Sequence, residues 1–181
     1  MSHGPGSFTG LRVGIVFAKT FAYVAGSRIV AVNTLQAIAE SVTSETSPEI
    51  NRLHVVSDAQ REQLFMSDFS RTDTGFWESS GPINIVDCDQ WLKSAADQAS
   101  SAFATIGPGL TKLVDDLPES IGCLPEEMWT PRASNVAAIA ERLAADNQFA
   151  DPFELEPFYL RKSSAEEKRD AKLADEAANQ N

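Results

Sequence analysis

From Ser7 to Gly26 the chain is almost continuously apolar, and a Gly-Pro-Gly turn at residues 4–6 precedes this stretch. Ser7 is placed to cap a helix and Gly26 to end it, so one helix to about Ala25 is expected. At helical spacing, Phe8, Leu11, Ile15, Ala18 and Ala22 form one apolar stripe, and Val13, Phe17, Phe21 and Val24 form another. A surface helix needs a single apolar face. Two faces predict a helix covered on both sides. One packs on its own sheet, and the other meets something further in this chain or in a partner.

Such a stretch also invites comparison with an export signal or a membrane span. A signal peptide carries a basic leader, whereas only Ser2 and His3 stand between Met1 and the turn. A span needs about 20 residues with few charges, and Arg12 and Lys19 interrupt this one. A soluble, cytoplasmic chain without a membrane partner is the expectation. The charge balance narrows the partners: 15 Lys and Arg against 26 Asp and Glu give a net charge of −11. Nucleic-acid binding is driven by basic residues displacing counterions, so this chain is not expected to grip RNA by itself. Its two cysteines, Cys88 and Cys123, are too few for a disulfide scaffold and suit a reducing compartment.

Beyond Gly26, Ile29–Val32 reads as a short buried strand. Asn33 or Thr34 then caps a helix bearing Leu35, Ile38, Ala39 and Val42. The polar run 41–48 reads as a linker. Leu53–Ser57 and Gln63–Phe69 form a predicted hairpin around a turn at 59–61, with a weak third strand at 75–78. Ile83–Val86 is a short buried run, and Asp89 is placed to cap a helix with Trp91, Leu92, Ala95 and Ala99. Ala102–Ile106 reads as a strand, followed by Gly107-Pro108-Gly109 and a helix through Leu117. Ser134–Asp146 is an amphipathic helix. Residues 151–161 should lie extended along the body, and 163–181 form a polar tail. The second Gly-Pro-Gly echoes the first. If the two parts are copies of one unit, the first lacks the elements that precede the turn in the second.

The densest motif is Gly4-Pro5-Gly6-Ser7-Phe8-Thr9-Gly10, continuing to Gly14. Glycines before a helix can let backbone amides approach a phosphate. The string lacks the ending of a Walker A loop and the spacing of a dinucleotide fingerprint. Close packing of helices through Gly10 and Gly14 is the favoured reading. His3 and His54 are the only histidines, and they make no metal-ligand grouping with the cysteines. His54, on a strand, reads as structural. Asp58 and Glu62 flank a hairpin turn with Arg61 between them, and read as a solvated turn with a surface ion pair rather than as a carboxylate pair for acid–base work. Cys88 and Cys123 read as small core residues. No catalytic constellation and no metal site emerge.

The string Gly4–Gly14, followed by an apolar helix and then Ala31-Val32-Asn33-Thr34-Leu35-Gln36-Ala37-Ile38-Ala39-Glu40, resembles the TsaB (YeaZ) family of tRNA threonylcarbamoyladenosine biosynthesis. Val55–Glu62 resembles that family's strand ending in Asp-Ala-Arg. Ile106–Gly109 resembles its second glycine turn, and Pro157-Phe158-Tyr159-Leu160-Arg161 its closing motif. Gln60 stands in place of the usual arginine, and Leu64-Phe65 in place of Val-Tyr. Family members also carry an N-terminal segment before the glycine turn, which this chain lacks; a misplaced start or a truncated product is the expectation.

The resemblance implies an α/β, actin-like (sugar kinase/actin-type ATPase) fold of two related lobes, the first N-terminally truncated. Residues 1–47 would be the remnant of that lobe, 48–162 the second lobe and 163–181 the tail. It implies a non-catalytic dimerisation subunit that binds a TsaD-like catalytic subunit and works with a TsaE-like ATPase. The chain itself would form a homodimer when alone and would meet tRNA only through the complex. ATP or ADP would enter at the level of the complex, with no cofactor assigned to this chain. The expected partner face is the stripe Phe8, Leu11, Ile15, Ala18 and Ala22, rimmed by Arg12 and Lys19. The alternatives are a nucleotide-binding or phosphotransfer protein and a metallopeptidase-like enzyme.

Overall fold

Ser7 caps the first helix as its place after the glycine turn predicts: its Oγ accepts the Gly10 N–H at 3.3 Å. The helix, α1, spans Phe8–Ala25 and stops at Gly26, whose left-handed φ of 62° needs no Cβ. The computed structural model describes residues 1–161 and Arg169; the tail expected at 163–181 otherwise lies outside the described residues.

A short strand precedes the turn. β1 (Ser2–Gly4) pairs in parallel with β2 (Val32–Asn33), and the Val32 N–H donates to the Met1 carbonyl at 2.8 Å. α2 (Thr34–Ala39) follows at once because the Asn33 carboxamide oxygen accepts from Leu35 and Gln36 N–H. Beyond the polar run come β3 (Arg52–Asp58), β4 (Gln63–Arg71), β5 (Trp77–Ser79), β6 (Asn84–Asp87), α3 (Cys88–Asp97), β7 (Phe103–Ile106) and α4 (Ala133–Ala145). The hairpin is present, with β3 antiparallel to β4 from Arg52↔Ser70 to Asp58↔Leu64. β7 joins β3 in parallel, giving the sheet order β5-β4-β3-β7, and β6 pairs with the start of β4.

Leu53, His54, Val55 and Val56 are all buried, so β3 is covered on both faces. The main core gathers Leu35, Ile38 and Val42 around α2 with Val55, Ile106, Leu110, Trp77, Trp91 and Trp129. The Trp77 indole N–H donates to the Val42 carbonyl at 2.8 Å and ties β5 to the end of α2. Three local expectations are corrected. Asp87, not Asp89, occupies the N-cap of α3; Asp89 lies in its first turn, where its charge favours the helix dipole. The second Gly-Pro-Gly opens two short 3₁₀ turns, Pro108–Lys112 and Val114–Asp116, not an α-helix. Cys123 is exposed rather than a core residue, while Cys88 is half-buried.

The echo between the glycine turns extends to the backbone. Gly4 and Gly107 both have φ of 124°; Gly4 is the last residue of β1, and Gly107 follows directly on β7. A Cβ on Gly4 would meet the Phe158 carbonyl at 3.0 Å, and one on Gly107 the Val56 carbonyl at 2.1 Å.

His54 is structural, as expected. Its ring packs edge-on to Phe103, and its Nε2 lies 2.7 Å from Asp68 Oδ1 on the neighbouring strand. The hydrogen bond to His54 holds the Asp68 carboxyl below its ordinary range, against the opposing effect of partial burial. A depressed carboxylate pKa contributes stability that is present above the unfolded value and lost as pH falls through the folded one. Asp68→Asn is therefore expected to cost about 0.5–1 kcal/mol near neutral pH, because it removes the ionised partner of a buried ring nitrogen while the carboxylate itself is nearly half open to screening solvent. The gap to the parent should close as the medium is acidified through the carboxylate range. Urea titrations at several pH values would check this; a gap independent of pH would dismiss the pair.

Candidate functional site

Three segments far apart in sequence line one cleft of about 930 Å³. They are the start of α1 with its glycine turn, the β3–β4 turn, and the strap 158–161. These carry three of the motifs singled out above, and the fold brings them to one place. Pro5 to Thr9 form one wall. Arg12, one helical turn on, donates from Nε to the Tyr159 hydroxyl at 2.9 Å, and its guanidinium lies 4.0 Å over the Phe8 ring. Phe8 in turn stacks on Tyr159 with ring centroids 4.9 Å apart.

The opposite wall is a strained turn. Gln60, Arg61 and Glu62 have φ of 64°, 54° and 58° in succession, each costing about 1–2 kcal/mol for a residue with a Cβ. Hydrogen bonds hold the turn. Asp58 Oδ1 accepts the Gln60 N–H at 2.8 Å, and Arg161 donates to the Ala59 carbonyl at 2.9 Å and to the Gln63 side chain. Asp58 also carries Lys112, 2.8 Å away, and that bond pushes the Lys112 ammonium pKa up. Asp58 thus has a specific lysine partner, a contact that sequence spacing gave no means of finding. Nearby, burial first and then the charges of Asp58 and Glu62 push the Cys88 thiol up, so it is not a poised nucleophile. Among the described residues no group of three or more His, Cys, Asp or Glu is placed to hold a metal ion.

Of residues 151–161, expected to lie extended, 152–154 form a turn and 160–161 a bend; between them the Phe158 N–H donates to the His3 carbonyl at 2.8 Å. Arg161 was noticed only as part of a motif. Its role in clamping the β3–β4 turn depends on a contact across 102 positions of sequence.

The second candidate surface is α1 itself. Its two stripes differ in fate. Ile15 and Ala22 are buried against Ile29 and Leu155, with Ala18 beside them, and Leu11 is half-buried. Of the residues expected to face a partner, Ile15 and Ala22 are thus buried within this chain. Lys19 donates to the Phe153 carbonyl, ahead of the strap, and Arg12 donates to Tyr159 within it. The other stripe stands in the open, with Val13 at 66%, Phe17 at 71%, Phe21 at 60% and Val24 at 79% exposure. This second face is therefore not covered within this chain. Gly10 and Gly14 share the open side. Gly14 has nothing within 4 Å of a Cβ position, and Gly10 meets only Ser7, so neither mediates close packing here. α1 has the length and composition of a membrane span, but one of its faces packs on this protein and it carries two tethered cations.

Comparison with known proteins agrees with the motifs. The family described as TsaD, tRNA N6-adenosine threonylcarbamoyltransferase, matches residues 1–111. The tRNA threonylcarbamoyladenosine biosynthesis protein TsaB of Escherichia coli is 27% identical over 163 residues, covering 90% of this chain and 69% of that protein. TsaB of Bacillus subtilis is 28% identical over 174 residues, covering 93% and 71%. A crystal structure of a Pseudomonas aeruginosa protein with similarity to peptidase YeaZ superposes with a TM-score of 0.71 at 20% identity. It covers 88% of this chain and 71% of that one, a likeness of fold. With that match over residues 1–111, and TsaB proteins similar along nine-tenths of its length, the chain belongs to the TsaD family and stands with its TsaB (YeaZ) members.

Proposed function

We infer that this chain is a non-catalytic scaffold subunit in tRNA threonylcarbamoyladenosine formation, and that it docks a TsaD-like catalytic subunit through the outward face of α1. The observation that carries this reading is the row Val13, Phe17, Phe21 and Val24. It is exposed on a helix whose opposite row is packed into its own chain. Contiguous apolar patches of this kind mark association sites. Gly10 and Gly14 lie four residues apart on the same side, with open space above Gly14 and only Ser7 near Gly10, which would let the backbone of a partner helix approach closely. The names of the TsaB relatives supply the pathway.

In this reading a TsaE-like ATPase and ATP or ADP act at the level of the complex, tRNA is met only through it, and the assembly works in the cytoplasm. The architecture would be actin-like, with 1–47 as a shortened first lobe and 48–162 as the second. The matching φ of Gly4 and Gly107 supports such a repeat. Alone, the chain should pair with itself through the same row, since two identical apolar faces are self-complementary.

Co-expression with the TsaD-like subunit of the same organism, followed by size-exclusion chromatography with light scattering, tests the reading. A stable mixed complex is expected. A chain that elutes only by itself, under conditions where the catalytic subunit is folded, would refute it. Gly14→Ala gives a sharper check. Alanine there should stabilise the isolated chain by about 0.5–1 kcal/mol through helix propensity. The same methyl should weaken the complex by crowding the partner. A variant that binds as well as the parent would place the contact elsewhere on α1.

A further inference from the structure

We propose that the strap 158–161 is a latch between α1 and the β3–β4 turn: while Tyr159 stays seated on α1, Arg161 keeps the turn left-handed, and when Tyr159 lifts off the turn relaxes. The proposal concerns motion within this chain and does not rest on the docking reading.

Its first basis is the strain in the turn. Gln60, Arg61 and Glu62 follow one another at φ of 64°, 54° and 58°, a region that Cβ atoms disfavour. All three residues are exposed, so burial does not keep them there. Such a conformation persists only where surrounding contacts over-determine it. Arg161 supplies contacts at both ends of the strained run. Its guanidinium fork donates to the Ala59 carbonyl at 2.9 Å on one side and to the Gln63 side-chain oxygen on the other. Gln63 extends the restraint, its side-chain amide donating to Asp87 at 2.9 Å.

The second basis is how lightly the strap itself is held. Among the described residues, its one backbone bond to the body joins the Phe158 N–H to the His3 carbonyl at 2.8 Å. Tyr159 is 40% exposed and is seated by side chains. Arg12 donates to its hydroxyl at 2.9 Å, and the Phe8 ring stacks on it at 4.9 Å. Segments with few buried contacts and exposed hydrogen bonds open before the rest of a fold. Two residues of chain span at most about 7 Å, so displacing Tyr159 from α1 draws Arg161 away from the turn. A strained element under a weakly seated clamp gives two states close in energy. A pull on the first turn of α1 is then felt on the opposite wall of the cleft.

NMR on the full chain reads both states. One-bond Cα–Hα couplings at residues 60–62 report the sign of φ. Amide exchange at Ala59 and Gln63 reports their bonds across the turn, to the Gln63 and Gln60 carbonyls. Arg161→Ala should move the couplings toward negative-φ values and speed exchange of both amides about tenfold or more. Tyr159→Phe keeps the ring and removes the hydroxyl that Arg12 holds. It should move both readouts the same way, with exchange about threefold faster, although Arg161 and the turn residues are intact. Arg12→Ala should match it. Arg28→Ala removes a guanidinium stacked on Phe149 instead, and should leave the turn as it is. Exchange at Val55, in the middle of β3, should keep the parent's rate throughout. Couplings that stay left-handed in Arg161→Ala would overturn the proposal. So would a turn that answers Arg161→Ala but neither Tyr159→Phe nor Arg12→Ala, since Arg161 would then be a fixed clamp without a link to α1. An equal rise at Val55 would overturn it as well, because the loosening would be global. No partner subunit enters these measurements, so their outcome is independent of whether the α1 face docks TsaD.

Discussion

Glutamate at both Phe17 and Phe21 is expected to abolish association with a TsaD-like subunit while leaving the isolated chain folded. Both side chains are mostly exposed in the free chain, at 71% and 60%, and their rings stack with centroids 6.3 Å apart. Replacing them removes little intramolecular packing. At an interface, aromatic anchors carry roughly 2 kcal/mol or more each, and a carboxylate forced into their place adds the cost of desolvating a charge. Loss of about 3 kcal/mol already corresponds to more than a hundredfold in affinity. Titration calorimetry of the purified pair would read this, with a thermal melt of the variant alone expected to match the parent. Retained affinity in the double variant would show that the outer row of α1 is not the contact.

Gly107→Ala should produce the largest loss of stability of any single methyl added to this chain's turns. The new Cβ would lie 2.1 Å from the Val56 carbonyl, on a backbone with φ of 124°. Neither relief is cheap. Val56 is a fully buried residue of β3, a strand paired on both sides, and alanine rarely adopts that φ. A penalty of about 3–5 kcal/mol is expected, a large share of the 5–15 kcal/mol typical of a whole domain. Urea unfolding followed by tryptophan fluorescence would measure it, since Trp91 and Trp129 sit in the core around this turn. A shift under about 1 kcal/mol would contradict the turn geometry. Alanine at Gly4 meets gentler contacts, 3.0 Å to the Phe158 carbonyl and 3.2 Å to Leu11.

Elements set by neighbouring residues were legible in the sequence. The Ser7 and Asn33 caps, the Gly26 stop and the β3–β4 hairpin all depend on contacts within a few positions, where residue type and backbone geometry are directly linked. Expectations faltered where a local signal had two realisations. A glycine-proline turn before apolar residues opens α1 at Pro5 but only 3₁₀ turns at Pro108. Asp87 and Asp89 are both plausible caps, and the end of β6 at Asp87 decided between them. The candidate cleft was legible only as separate strings. Nothing in the order of residues said that Arg12 would meet Tyr159, or that Arg161 would hold the turn at Ala59.

The sequence by itself determined that α1 would be apolar on two sides, because helical periodicity places Ile15 and Phe17 on different faces whatever surrounds them. It also determined the acidic balance and the motifs that tie the chain to its family. Which face of α1 turns inward was decided by tertiary structure. Ile29 and Leu155, from segments that follow the helix, pack on the side of Ile15 and Ala22 and leave Phe17 and Phe21 to solvent. The cleft was decided in the same way. The glycine turn with the start of α1, the β3–β4 turn and residues 158–161 are far apart along the chain and come to line one hollow only when the chain folds, since contacts depend on distance in space and not on position in sequence.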